Sequence, residues 1–443
     1  MKVLVVGGGS GGHITPAVAV VREILEKKPR TRVEFWTDRK YYKNVVKITT
    51  EIGVSWGEES RLSGKKQYIR VRKVASGKFH RYAGWSFKDY LRRLDIFFKD
   101  IVWGNISGFF GFIAGIIQSF FRMLPASRRP DVIFLKGGFV GLPVGLVARF
   151  LKIPYVVHES DAVPGLANRL LMKKARWVAL GVPDEDEGLK DFSSGRSGPL
   201  SASQGASGQV LGPSEKPSKP SSNRVFVGIP IAPEFRKVSP QKQASLKKTF
   251  GFDPERPLVV MTGGSQGSEN MNNAMREILP EMLKFTSVGL VAGRKHYEDM
   301  VDLKKYEDWE KAKLQSDFRM WSFNSAMNEL LGAADVVISR AGATTIAELA
   351  GLEKAVILVP FERLPGSHQV KNAERLVSME ACAMIGDERM MNQPGLLLEL
   401  TQKLVRSPKV RETLAHNLHE AVSAPKAAEE LAELVLKVGA DED

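Results

Sequence analysis

Apolar positions along the chain fall into short, nearly continuous runs, each followed by a stretch with helical spacing. "KVLVV" (2–6), "RVEFWT" (32–37), "PDVIFL" (130–135), "IPYVVHE" (153–159) and "RWVALG" (176–181) read as strands. "GLPVGLVARFL" and "PGLANRLLMKKA" between them read as helices. Apolar runs without alternation fit strands covered on both faces, as in a parallel, doubly wound sheet. The first helix is expected to open at Thr15-Pro16, a hydroxyl cap followed by proline at the first helical position. Residues 184–222 break the rhythm; rich in Ser, Gly, Pro and Lys, they predict a disordered insertion. The "DEDE" at 184–187 is then a solvated charge run. The alternation restarts with "RPLVVMTGGSQGSENMNNAM" (256–275), followed by "TSVGLVAG", "FRMWSF", "ADVVISRAGATTIAELAGL" (334–352) and "AVILVPF". From about residue 408 the pattern is helical and amphipathic. The expected fold is α/β: two Rossmann-like doubly wound domains facing across a cleft. The expected divisions are 1–223, 224–407 and a helical tail, 408–443, that packs back toward the first domain.

The net charge of +14 over 443 residues favours anionic partners: phosphorylated substrates, nucleic acid or anionic lipid. The single cysteine, Cys382, excludes an internal disulfide and a cysteine metal cage, and fits a reducing compartment. Met1 leads directly into a strand, so no signal peptide is expected. Residues 101–121 carry no charge over a length that could span a bilayer. They lie between strands of one sheet, however, and a crossing would split that sheet. Glycines at 104, 108, 111 and 115 predict close packing on one helix face. The Phe, Ile and Trp side chains would enter a membrane interface, with Lys88, Arg92, Arg93, Lys99, Arg122, Arg128 and Arg129 toward anionic headgroups.

Candidate chemistry gathers after strands, where doubly wound sheets bind ligands. In "GGGSGGH" (7–13) the bare backbone can approach a ligand closely, and the following helix adds its positive dipole end. Gly7, Gly9 and Gly12 also match G-x-G-x-x-G, with Asp38 as a possible ribose partner, so a dinucleotide oxidoreductase stays open. A second glycine loop, "TGGSQGS" (262–268), occupies the same point of the second half and suits a substrate pair divided between two domains. In "SRAGATTIAE" the backbone of Gly342, Ala343 and Thr344 opens a helix ready for a diphosphate, and Glu348, one turn in, could accept ribose hydroxyls. His368, Gln369 and Asn372 offer partners for sugar hydroxyls, while His158 and Glu159 end a strand and are expected to face the cleft.

"GGGSGGHITPAVAV", "GGFVGLPVGLVARFLKIPYVVHESDAVPGLANRLL", "GGSQGS" and "SRAGATTIAELAGLEKAVILVPF" with "HQVKNA", in that order, resemble the MurG family of GT-B glycosyltransferases over most of residues 1–180 and 224–400. The resemblance implies transfer of N-acetylglucosamine from UDP-GlcNAc to lipid I, making lipid II at the cytoplasmic face of the bacterial membrane. It places Ser265 and Gln266 at the donor, Gly342, Ala343, Thr344, Thr345 and Glu348 at diphosphate and ribose, and Asn324 at the uracil. Gln369, His368 and Asn372 would hold the sugar, and Ser10, Gly11, Gly12, Asp161 and Asn168 would meet acceptor pyrophosphate and donor sugar. His13 becomes the favoured base, with Glu159 close by. No cofactor, metal or nucleic acid is implied; the anionic membrane surface would be met by 88–129. The family has Asn where Asp161 stands and Arg where Ala232 stands. A UDP-sugar epimerase of the same shape, an NAD-dependent oxidoreductase and a non-catalytic basic binder of membrane or RNA are the alternatives.

Overall fold

The computed structural model describes residues 1–51, 68–77, 103–183, 223–264, 267–306, 317–362 and 367–440. The insertion 184–222, Ser265, Gln266 and the cations at 88–99 lie outside them.

Two parallel sheets form. The first holds β1 (Lys2–Val6), β2 (Arg32–Thr37), β3 (Tyr68–Lys73), β4 (Val132–Leu135), β5 (Tyr155–Glu159), β6 (Trp177–Leu180) and β7 (Arg224–Phe226), in the order β3-β2-β1-β4-β5-β6-β7. The second holds β8 (Leu258–Thr262), β9 (Ser287–Val291), β10 (Phe318–Trp321), β11 (Val336–Ser339), β12 (Ala355–Leu358) and β13 (Ala383–Met384), in the order β10-β9-β8-β11-β12-β13. Counted from its own first strand, each sheet begins at one edge with its third and reverses direction beside its first. Each therefore has a switch point, between β1 and β4 and between β8 and β11, where a crevice opens beyond the strand ends.

Several elements differ from expectation. The first helix, Gly11–Lys27, begins four residues before Thr15 and carries Pro16 inside it. Strand β3 was not anticipated, although Ile69 and Val71 are buried and Arg70 and Arg72 alternate with them. Strand β7 pairs with β6, so the first sheet runs past the boundary expected at residue 223; its backbone hydrogen bonds complete that sheet's edge.

The helix Gly104–Met123 lies on the first domain. A Cβ at Gly111 or Gly115 would strike the Ser76 or Ala75 carbonyl at 2.8 or 2.2 Å, so these glycines let the helix backbone meet segment 75–77 directly. Gln118 accepts the Ala75 N–H at 2.8 Å from the same side. The opposite face carries Ile106, Phe109, Phe110, Ile113, Ile117 and Phe121, all exposed.

The chain crosses the cleft again at its end. Helix Pro408–Val422 packs on the second domain, with Leu418 in that core and His419 bound to the Ala350 carbonyl at 3.0 Å. Helix Ala427–Gly439 returns to the first domain, where Leu431 and Val435 share a core with Val3, Val5 and Phe35. We expect Leu431→Ala to destabilise the first domain by about 2–5 kcal/mol, the usual cost of truncating a fully buried leucine. Chemical denaturation, with probes in each domain, should show the loss in the first domain's transition.

Candidate active site

The loop after β1 and the helix Gly11–Lys27 build one wall. Pro16 has no N–H for the carbonyl four residues back, so the Gly12 carbonyl lacks its helix donor. That carbonyl instead accepts the Thr344 hydroxyl of the second domain at 3.0 Å. The two domains thus touch where the first glycine loop and the loop before helix Ala343–Gly351 open into their helices.

His13 is half-buried on the same helix. Its Nδ1 lies 2.8 Å from the Gly8 carbonyl and 3.4 Å from Ser10 Oγ. A carbonyl only accepts, so Nδ1 carries the proton and Nε2 keeps a lone pair. Burial, and then the charge of Lys136, push the imidazole below its ordinary pKa and keep it neutral. Gly138, at φ 79°, backs the ring closely: a Cβ there would lie 2.9 Å from Nδ1. Asp38 is unavailable to a ribose, because its carboxylate accepts the N–H groups of Gly9 (2.7 Å), Lys40 (2.8 Å) and Tyr41 (3.1 Å). That removes the acidic partner a dinucleotide site would need.

Glu159 ends β5 as an organiser of the next loop. Its oxygens accept Asp161 N–H at 3.0 Å, Gly165 N–H at 3.2 Å and Asn168 Nδ2 at 2.8 Å. Burial raises its pKa, against the pull of these donors. His158 does not face the cleft: it is fully buried and donates from Nε2 to the Gly228 carbonyl at 2.8 Å. Alternation along a strand sends neighbours to opposite faces, so residues 158 and 159 could not both line one crevice. Asn168 lies beneath the loop, with its Oδ1 buried and unpartnered among the described residues.

Lys136, missed by the sequence reasoning, follows β4 at the switch point. It is 1% exposed and donates to Ser160 Oγ. Burial pushes its pKa down to about 8, although Glu159 and Asp161 oppose the shift. A lysine closing the otherwise apolar "DVIFLK" was the available signal.

On the facing wall, helix Ala343–Gly351 opens after Gly342 with no side-chain cap and no acid in its first turn. The N–H groups of Ala343, Thr344 and Thr345 are therefore aimed outward with the positive dipole end, suited to an anion. Arg340 pins this loop, reaching Asp387 at 2.5 Å, the Val359 carbonyl at 3.2 Å and Ser268 Oγ. Glu348 is half-buried one turn later; no hydrogen bond or ion pair from another described residue reaches its carboxylate, and burial pushes its pKa up to about 8.

His368 begins helix His368–Ser378 and is near enough to His13 to disfavour its protonation. Gln369 accepts the Phe361 N–H at 3.0 Å, which leaves its amide NH₂ to donate. Asn372 is committed between the domains: it donates to Asp161 at 3.1 Å and the Ala341 carbonyl at 3.2 Å, and accepts the Ala162 N–H at 3.2 Å. Its full set of partners makes it an interdomain joint rather than a free sugar contact. Asn324 accepts the Ala326 N–H at 2.8 Å in a tight turn below β10.

Two parallel α/β domains, one presenting an imidazole and the other an uncapped helix N-terminus and a carboxylate with no partner among the described residues, form the GT-B architecture. Solved structures agree on the fold: the chain aligns with MurG from Acinetobacter baumannii at TM-score 0.61 and 20% identity, covering 98% of this chain and 99% of that one. It aligns with UDP-GlcNAc 2-epimerase from Neisseria meningitidis, bound to UDP-GlcNAc, at TM-score 0.59 and 14% identity, covering 99% and 100%. The chain belongs to glycosyltransferase family 28, whose N-terminal domain matches residues 3–180 and whose C-terminal domain matches residues 258–431. Among curated relatives, it is 27% identical to the UDP-N-acetylglucosamine--N-acetylmuramyl-(pentapeptide) pyrophosphoryl-undecaprenol N-acetylglucosamine transferase of Exiguobacterium sp. over 440 residues, 99% of each chain. It is 29% identical to the transferase of the same name from Clostridium kluyveri over 405 residues, 91% of each.

Glu348 generates a pH-dependent expectation. Its raised pKa keeps it largely protonated at pH 7 in the free protein, whereas hydroxyl donors favour the ionised form. Binding of UDP should therefore release a proton at pH 7, and affinity should rise from pH 6 to 8 and level off above. Calorimetry in two buffers of different ionisation heat measures that proton. Glu348→Ala should weaken UDP by about 1–3 kcal/mol, the scale for hydrogen bonds to a charged group; Glu348→Gln should abolish the proton release.

Proposed function

We propose that this enzyme transfers N-acetylglucosamine from UDP-GlcNAc to the muramyl 4-hydroxyl of undecaprenyl-pyrophosphoryl-MurNAc-peptide, inverting the anomeric carbon. The observation that carries the reading is the placement of His13, its Nδ1 proton fixed on the Gly8 carbonyl, against the uncapped helix start at Gly342–Thr345. The acceptor oxygen attacks the anomeric carbon, its proton passes to His13 Nε2, and the bond to UDP breaks with its electron pair on the diphosphate. The amides of Ala343, Thr344 and Thr345 stabilise that departing charge. Glu348 receives the ribose hydroxyls, Gln369 and His368 the sugar, and Ser10, Gly11 and Gly12 the acceptor pyrophosphate. Ser265 and Gln266 join the donor site from the second glycine loop. Glu159 acts by holding the loop 161–168 rather than by moving a proton, since its oxygens already have donors.

The acceptor's lipid explains the apolar face of helix Gly104–Met123. Phe109, Phe110, Ile113, Ile117 and Phe121 recur at helical spacing, Phe150 lies 6.0 Å from Phe120 beside them, and Arg128, Arg149 and Lys152 are exposed nearby. An apolar stripe flanked by cations suits an anionic bilayer surface at the cytoplasmic face. A UDP-GlcNAc epimerase shares the fold but handles a water-soluble substrate, and has no use for that face.

A labelled UDP-GlcNAc assay with a lipid I analogue tests the chemistry. His13→Ala should lower turnover by about 10²–10⁴-fold, the contribution of a general base, with UDP affinity nearly unchanged. His13→Asn, which keeps a polar group at the loop, should be comparably slow; wild-type rates in both variants would sink the assignment. The membrane role is tested by sedimentation with phosphatidylglycerol vesicles. The double variant Phe110→Ser with Phe121→Ser should bind them several-fold more weakly at unchanged turnover on a short-chain soluble acceptor, and undiminished binding would remove this helix from the interface.

A further inference from the structure

We propose that Lys136 is a positioning residue for the transfer. Its buried ammonium, two residues before the Gly138 backbone that backs the His13 ring, offsets the neighbouring carboxylate charge and, together with burial, leaves the imidazole ready to accept the acceptor's proton. The inference rests on His13 being the base.

The geometry is that of a charge cluster closed inside the first domain. Lys136 is fixed at both ends: its backbone N–H donates to the Val6 carbonyl at 3.0 Å, and its ammonium donates to Ser160. Ser160 is the one hydrogen-bond acceptor its ammonium has among the described residues, so a buried cation stands with donors to spare. Burying an ammonium is costly unless opposite charge is near. Here Glu159, ending β5, and Asp161, two residues on, supply it. The next two residues, Gly137 and Gly138, carry the chain past Asn168 and against the His13 ring. Lys136 therefore belongs to the same short segment that backs the base.

Among the described residues, Lys136 after β4 and His368 from the second domain disfavour His13 protonation, Asp161 after β5 favours it, and His158 within β5 also interacts with it. Lys136 in turn faces Glu159, Asp161, His13 and the fully buried His158. Burial would still disfavour the imidazolium without Lys136, but the Asp161 carboxylate would then act on the imidazole with no cation to oppose it, and protonation of His13 would become easier. Asp161 also reaches Asn372 across the cleft, so its charge sits where an anionic acceptor must enter. A neighbouring cation that balances it keeps that entrance from repelling pyrophosphate.

The test uses the full-length protein with Lys136→Met, close in volume and uncharged, and the double variant Lys136→Met with Asp161→Asn. NMR titration of the His13 imidazole is read alongside the pH profile of kcat/KM. In Lys136→Met the His13 midpoint and the acid limb of the profile should both move up by about 1 pH unit, the scale of one nearby charge. The double variant, which balances the cluster again, should bring both back by at least half. UDP affinity, carried by the second domain, should stay within twofold in both and reports folding. An unmoved His13 midpoint in a variant that still binds UDP overturns the proposal, as does a double variant no closer to wild type than the single one. Wild-type turnover in His13→Ala would fail the base assignment instead, a result separable from the NMR midpoint. If Lys136→Met does not fold, the double variant decides: a His13 midpoint close to wild type supports charge balance, and one displaced upward by a full unit overturns it.

Discussion

The Gly12 carbonyl is where the architecture turns on a single contact. Proline at 16 denies it a helix donor, and an unsatisfied carbonyl at a domain interface is costly enough to require a partner. Thr344, first turn of the opposing helix, is that partner. The bond sets two helix N-termini face to face, one beside an imidazole and one uncapped. Asn372 adds a second tie by bridging Asp161, Ala162 and Ala341. These joints close the base of the cleft, with the His13 imidazole on one side and the uncapped helix start at Gly342 on the other.

The polar interior of the first domain follows from the same arrangement. Parallel strands end together, so β1, β4 and β5 deliver their final residues to one crevice. Those residues include Lys136 and Glu159, both buried, while His158 turns to the opposite face of the sheet. A cluster of this kind is stable only if its charges and donors are matched, and the Glu159 carboxylate meets three donors while Lys136 meets opposite charge. The second domain treats its acid differently. Glu348 has no partner among the described residues, and burial raises its pKa with no donor to offset it. One carboxylate is organised by the protein, and the other is left for hydroxyls to organise.

Helix Gly104–Met123 shows how backbone contact and surface chemistry can be separated on one element. Glycines bring one face against segment 75–77, closer than any side chain would permit. The face so anchored leaves the phenylalanines and isoleucines with nowhere to go but outward. Exposed apolar area of this extent normally marks an interaction surface, and anchoring through backbone keeps it presented rather than folded inward.

Much of this was legible in the residues themselves. Apolar runs revealed ten of the parallel strands because both faces of such strands are buried, and the glycine loops after β1 and β8 fall at the strand ends beside each switch point. Short or polar strands escaped: β3 hid its alternation among basic residues, and β13 pairs over only two positions. The helix start at Gly11 was misplaced because proline is common at a first helical position, whereas here Pro16 lies within the helix and releases a carbonyl for another domain. Residue types alone named His13, Glu159, Glu348 and Asn372 as candidates. Their roles depended on which hydrogen bonds were already taken: Glu159 and Asn372 are committed, Nε2 of His13 and the Glu348 carboxylate are not. Lys136 was invisible as chemistry because a lysine after a strand is ordinarily solvated, and only the packing of β4 between β1 and β5 encloses it with two carboxylates. Local sequence carries propensity and periodicity, which determine elements; partnership between groups distant in the chain is a property of the packed whole.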